Sequence, residues 1–166
     1  MRDTEIFFAY SCPFCLKGYE DLKAVLAELP DAKIIWRPCE VEPREADYGN
    51  YDDFFVQASL IAIDLCADMI KFNDLLFNAI FTAHSAKPTD RDSVIAAVES
   101  VIDADALRKK LGSAELRERQ NKANDLAYET HGVWAVPSFR ADGGKLKLDA
   151  VAGVGVSRDQ IREFLS

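Results

Sequence analysis

The run Thr4-Glu5-Ile6-Phe7-Phe8-Ala9-Tyr10-Ser11-Cys12-Pro13-Phe14-Cys15-Leu16 decides how the chain is read. Residues 6–10 are apolar and rich in Phe with Ile and Tyr, with charge before them and Ser11-Cys12-Pro13 after, which predicts a buried strand over 4–10. The chain then turns directly into a helix. Ser11 or Cys12 suits the N-cap, and Pro13 suits the first helical position, where its missing N–H costs nothing. Leu16, Tyr19, Leu22, Val25, Leu26 and Leu29 recur at helical spacing, and Pro30 ends the run. Residues 32–37, with Ile34, Ile35 and Trp36, read as a second strand. A strand, a helix and a strand within about 35 residues favour a right-handed βαβ unit with parallel strands.

Cys12-Pro13-Phe14-Cys15 places two thiols at the strand-to-helix junction. The first cysteine of a helix-opening C-x-x-C faces unpaired backbone N–H groups and the positive end of the helix dipole, both of which favour thiolate. In such motifs the pKa falls from about 8.5 to roughly 3.5–7. Cys15, one turn on, is close enough to attack a mixed disulfide formed on Cys12. Half of a zinc site has the same spacing. Zinc wants four ligands, commonly as two close pairs, whereas Cys39, Cys66, His84 and His131 are scattered singly.

The 166 residues suit one domain or a small domain carrying an insertion. A net charge of −8 argues against a nucleic-acid groove and against attraction to anionic membranes. The uncharged windows 54–63 and 75–86 contain Gln, Ser, Asn and His and are too short to span a bilayer. The acidic start Met1-Arg2-Asp3-Thr4-Glu5, followed by a brief apolar run, does not read as a secretory signal. A cytoplasmic protein is expected, in which a C-x-x-C is more often catalytic or metal-binding than structural.

Downstream, residues 40–53 are polar, contain Pro43, Gly49 and Asn50, and predict a connection. From 54 to 131 the periodicity is helical, with helices near 54–67, 68–83, 90–101, 103–111 and 113–130. Thr89 or Asp90 and Ser113 are candidate N-caps. Phe54, Phe55, Leu60, Ile61, Leu65, Phe72, Leu75, Leu76, Ile80 and Phe81 form their apolar faces. Strand character returns at 136–140, Asp142-Gly143-Gly144 signals a hairpin turn, and 146–151 supplies the returning strand. Ser157 caps a last helix with Ile161, Phe164 and Leu165 on one face. The predicted organisation is βαβ over 1–50, a helical insertion over 51–131, and ββα over 132–166. Cys39 and Cys66 read as packed in the core. His84 and His131 complement helix ends. Trp134 suits either a groove or the core, and Lys17 and Glu28 belong to a solvated helix face. Gly153-Val154-Gly155 is too short for a nucleotide motif.

The order βαβ, helical block, ββα resembles the DsbA-like branch of the thioredoxin fold. The nearest likeness is to FrnE and 2-hydroxychromene-2-carboxylate isomerase relatives. The likeness covers nearly the whole chain and rests on Cys12-Pro13-Phe14-Cys15, Val136-Pro137-Ser138-Phe139, Asp142-Gly143-Gly144 and Gly153-Val154-Gly155. It implies a cis peptide bond before Pro137, with the Val136 backbone turned toward the dithiol to pair with an extended substrate. By the same resemblance Cys12 and Cys15 are catalytic, and Pro13, Phe14, Val136 and Pro137 contact substrate.

Two departures from that pattern matter. Strongly oxidising DsbA proteins have histidine where this chain has Phe14, and a phenyl ring cannot stabilise a thiolate as an imidazolium does. Potentials of such proteins span about −270 to −120 mV, roughly 7 kcal/mol for two electrons, and Phe14 argues against the oxidising extreme. The isomerase relatives carry serine at the position of Cys12 and use glutathione. The expected function is therefore thiol-disulfide exchange with protein thiols or glutathione as partners, without an organic cofactor, metal, nucleic acid or membrane. Glutathione-dependent isomerase or transferase activity, and a non-enzymatic binding module or metal-bound dithiol, are the alternatives.

Overall fold

The computed structural model describes residues 2–41 and 53–166. The chain forms β1 (Thr4–Phe8), α1 (Pro13–Glu28) and β2 (Ile34–Pro38), then five helices. These are α2 (Asp53–Asp64), α3 (Met69–Phe81), α4 (Arg91–Val98), α5 (Ala104–Lys110) and α6 (Ala114–Asp125). A π-helical turn (Leu126–Thr130) follows α6 without a break. The chain closes with β3 (Ser138–Ala141), β4 (Leu146–Asp149) and α7 (Arg158–Leu165). This is the expected α/β thioredoxin fold with a helical insertion. The predicted connection at 40–53 falls, from 42 to 52, outside the described residues.

The sheet order is β2-β1-β3-β4, with β1 parallel to β2 and antiparallel to β3, and β3 antiparallel to β4. β1 is central, which is why it needs apolar residues on both faces. Ile6 and Phe8 join a core that includes Cys15, Leu22, Phe139 and Ile161, whereas Phe7 packs with Cys39, Ala127 and Val133. Helices therefore cover both faces, and the strand has no solvent side. The helical block meets the segment between β1 and α1 through aromatic contacts: the Tyr10 ring lies 5.1 Å from Phe77 and 6.4 Å from both Phe55 and Phe72. Truncating any one of these buried rings to alanine costs about 3–5 kcal/mol. The Tyr10 hydroxyl, itself buried, bonds to Ser59 Oγ at 2.8 Å and to Asn73 Oδ1 at 2.6 Å.

The predicted caps are realised in Asp90, which accepts from the Ser93 amide, in Ser113, which accepts from Leu116, and in Ser157, which forms a capping box with Gln160. Two expectations fail for one reason. The helix expected over 54–67 stops at Asp64, where Cys66 adopts φ 53° and the Ala67 amide donates to Ala62 O at 3.0 Å. That is a Schellman ending, with Cys66 at the position glycine usually takes. The turn swings both Leu65 and Cys66 into solvent rather than the core. The run 113–130 is helical throughout but widens over its last five residues, where the His131 amide reaches back five residues to Leu126 O at 3.0 Å.

Candidate functional site

Cys12 is the N-cap of α1, with extended backbone and Pro13 following it. Its carbonyl accepts from the Cys15 amide at 3.0 Å and the Leu16 amide at 3.2 Å, so the first helical turn forms around it. The two thiols of that turn are unlike. Cys12 is half-buried and Cys15 is buried. The Cys15 thiol hydrogen-bonds to the Cys12 sulfur, and against the opposing effect of burial the Cys15 and Phe14 amides add to it, bringing the Cys12 pKa down from 9.0 to about 6. At neutral pH such a group is about nine-tenths thiolate, against a few per cent for an ordinary cysteine. Burial pushes the Cys15 thiol well up, and the hydrogen bond to Cys12 adds to that rise. The Ala9 amide, just past β1, donates to Cys15 Sγ at 3.3 Å and fixes its place.

Val136 stands across from Cys12, its carbonyl oxygen 3.9 Å from Cys12 Sγ. The Val136-Pro137 peptide bond is cis. Pro137 itself is buried, and its ring lies where a Cβ on Gly18 of α1 would come within 2.8 Å of Pro137 Cγ. Glycine at 18 therefore lets the helix close on the proline. The pyrrolidine faces α1, and it is Val136 that faces the open space. That space is a groove of about 180 Å³ lined by Cys12, Phe14, Tyr128, Trp134, Val136 and Val151 among others, with no Asp, Glu, Lys or Arg among its described lining residues. Phe14 is 38% exposed and Trp134 71% exposed, which removes the core alternative for Trp134. Gly155, at φ 82°, passes so close to Phe14 that a Cβ there would lie 3.4 Å from the ring. Pro13 is exposed beside the groove.

Two roomier hollows, of about 380 and 520 Å³, follow the free edge of β2 and touch neither Cys12 nor Cys15. Chemistry, not volume, picks out the smaller groove. Among the described residues no three His, Cys, Asp or Glu side chains gather as a metal site. Lys17 pairs with Asp21 and Glu28 with Arg162 on the solvated side of α1. Cys39 is buried, 3.6 Å from Phe8 O and 3.7 Å from the Tyr128 hydroxyl.

Sequence reasoning misses Tyr128 and the Ala9 amide. Tyr128 sits in the π-helical turn, and its hydroxyl donates to Glu40 O, so its ring becomes a groove wall. No spacing rule announces a π turn. The Ala9 donor is a backbone group, which any residue but proline supplies.

A family model described as a DSBA-like thioredoxin domain matches residues 4–165. Among solved structures, a thioredoxin-like oxidoreductase from Silicibacter pomeroyi DSS-3 superposes with a TM-score of 0.70 at 16% identity, covering 98% of this chain and 83% of that one. DsbA from Xylella fastidiosa gives 0.70 at 18%, covering 98% and 81%. DsbA from Proteus mirabilis, in complex with a non-covalently bound peptide PWATCDS, gives 0.66 at 15%, covering 99% and 84%. Identities this low speak for a shared fold. A comparison with curated protein sequences found no match.

Proposed function

This chain belongs to the DSBA-like thioredoxin domain family, and from that premise we propose that it is a thiol-disulfide oxidoreductase acting through Cys12 and Cys15. The carrying observation is the asymmetry of the two thiols. Cys12 is held near a pKa of about 6 and opens on the groove, while burial keeps Cys15 protonated behind it. Cys12 thiolate attacks one sulfur of a substrate disulfide, forming a Cys12–substrate mixed disulfide and releasing the other sulfur as thiolate. Cys15 then passes its proton to the substrate thiolate already released and attacks Cys12 Sγ, expelling the second substrate sulfur as thiolate. The enzyme ends as a Cys12–Cys15 disulfide, and the substrate has gained two electrons. The reverse sequence oxidises a substrate dithiol. A nucleophile pKa of about 6 lies well above the roughly 3.5 of strongly oxidising DsbA, which supports a potential short of that oxidising extreme.

The substrate we favour is an extended peptide, with Phe14 and the Val136 backbone as docking groups. The lack of Lys and Arg among the described lining residues of the groove supports that choice, since glutathione would bring two carboxylates to it. The peptide complex of the Proteus mirabilis DsbA, a structural neighbour, points the same way.

Reduction of insulin disulfides by the purified protein tests the reading. Cys12→Ser is expected to abolish it, and Cys15→Ser to stop turnover while accumulating the Cys12 mixed disulfide on mass spectra. Wild-type protein without exchange activity would overturn the reading. Full activity in Cys15→Ser would favour glutathione-dependent isomerase or transferase chemistry instead.

A further inference from the structure

β3 carries a cation that the exchange chemistry does not use. The Arg140 side chain is 0% exposed, and a buried charge persists only when it is paired and hydrogen-bonded. Its Nη1 donates to Asp149 Oδ1 at 2.6 Å and to Phe139 O at 2.9 Å. Its Nε and Nη2 reach His131 O at 3.4 and 3.3 Å. Ser138 and Asp149 are register partners in the β3–β4 ladder, and Ser138 Oγ lies 2.9 Å from the same Asp149 oxygen. Ser138 Oγ is also 2.5 Å from Ala135 O, so its single proton is shared between a carbonyl and a carboxylate.

These bonds converge on one segment. The guanidinium holds the carbonyl of His131, where the π-helical turn ends, and the Ser138 hydroxyl holds that of Ala135. Between them lies the exposed Trp134, and directly after them Val136, opposite Cys12. The next carbonyl, Pro137 O, accepts from the Ala150 amide at 3.2 Å. Buried ion pairs add little net stability over apolar packing of the same volume. What this one supplies is direction, because a planar fork anchored by a carboxylate fixes where its remaining N–H groups point.

We propose that Arg140, Asp149 and Ser138 are positioning residues that set segment 131–136 at the distance from Cys12 at which an extended peptide disulfide docks. This rests on the exchange reading above. A loosened segment weakens docking of a peptide that must pair with the Val136 backbone. It leaves intact the thiolate, which Cys15 and the α1 amides stabilise from the other side.

The test measures two reactions on Ser138→Ala and Ser138→Thr. One is reduction of a short peptide carrying a single intramolecular disulfide; the other is alkylation of Cys12 by iodoacetamide, which is too small to need the segment. Ser138→Ala is expected to raise KM for the peptide about fivefold, the scale of one lost hydrogen bond, with kcat within about twofold. Its alkylation rate and pH midpoint should match wild type. Ser138→Thr, which keeps the hydroxyl, is expected to restore KM. Arg140→Met, which removes the buried charge and leaves the partly exposed Asp149 to water, tests the same clamp should Ser138→Ala not fold, with KM raised in the same direction. An unchanged KM in the folded disrupting variants, or a threonine variant no better than alanine, would overturn the positioning role. A wild type that exchanges with no disulfide would overturn the oxidoreductase reading and the positioning role with it.

Discussion

Where α1 meets the sheet, the polar atoms around the thiols are backbone atoms: the amides of Ala9, Phe14 and Cys15 and the carbonyl of Val136. Across the helical block they are side chains bonded to one another. Asp53, 2% exposed at the start of α2, takes both Arg117 nitrogens at 2.6 and 3.2 Å and Gln120 Nε2 at 2.7 Å. Gln120 Oε1 accepts from Gln57, whose own oxygen accepts from the Gly112 amide. The first arrangement aims amide donors at two sulfurs that, in the proposed exchange, change charge and partner. The second binds its donors to fixed acceptors within the fold. Reactivity and rigidity thus come from different regions, and the block adds Tyr128 to the groove from its last turn.

Breaking the second arrangement should leave the first untouched. Asp53→Ala strips the Arg117 guanidinium and the Gln120 amide of a buried acceptor. Loss of one partner of a buried pair costs about 3–5 kcal/mol, and Arg117, 39% exposed, recovers water enough to place the loss near the lower figure. For a domain of this size that lowers Tm by roughly 6–12 °C. The pH midpoint of Cys12 alkylation should stay near 6. A midpoint that moved with Asp53→Ala would show the two regions to be coupled.

The pH profile itself sharpens the contrast at the thiol end. Iodoacetamide alkylation of Cys12 should fall about tenfold per pH unit below 6 and flatten above 7, while an unperturbed cysteine climbs until about pH 8.5. The lowered pKa also fixes the sign of the effect on stability. The Cys12 thiolate stabilises the reduced fold above the ordinary thiol pKa, and that contribution is lost as pH falls from 9.0 through about 6. The oxidised protein has no such thiol. Acidification over that window should therefore narrow any stability advantage of the reduced form, as read from urea melts of both forms. A constant difference would contradict the lowered pKa.

The sequence discloses those parts of the molecule that obey short-range rules. Ile6, Phe7 and Phe8 bury both faces of β1, Pro13 opens α1 behind Cys12, and Ser157 with Gln160 caps α7, all by local patterning. Val136 becomes legible only through the family resemblance, since nothing local says that residue 136 faces residue 12. Cys66 and Leu65 mislead because a left-handed cysteine ends α2 where glycine would have signalled the stop. Arg140 is hidden for another reason. An arginine in a strand reads as solvent-facing, and its burial depends on Asp149 across the ladder and on the His131 carbonyl nine residues back. Tyr128 depends on a wider helical turn that has no sequence period of its own.

Tyr128 is the point at which the two regions touch, and the smallest effect is expected there. Its ring faces the groove while its hydroxyl reaches Glu40 O and lies 3.7 Å from Cys39 Sγ. Tyr128→Phe keeps the wall and removes the anchor. One lost hydrogen bond to a backbone carbonyl predicts about 1 kcal/mol of stability. If the anchor serves only the block, that loss appears in the melt and KM for a peptide disulfide stays at the wild-type value. If it also holds the wall of the groove, KM rises about twofold to fivefold by the same energy scale, with alkylation of Cys12 unchanged. Because the ring belongs to the groove and the hydroxyl to the fold behind it, both readouts are expected to move. Denaturant melts and peptide kinetics on this one variant measure how far the boundary between rigidity and reactivity is shared.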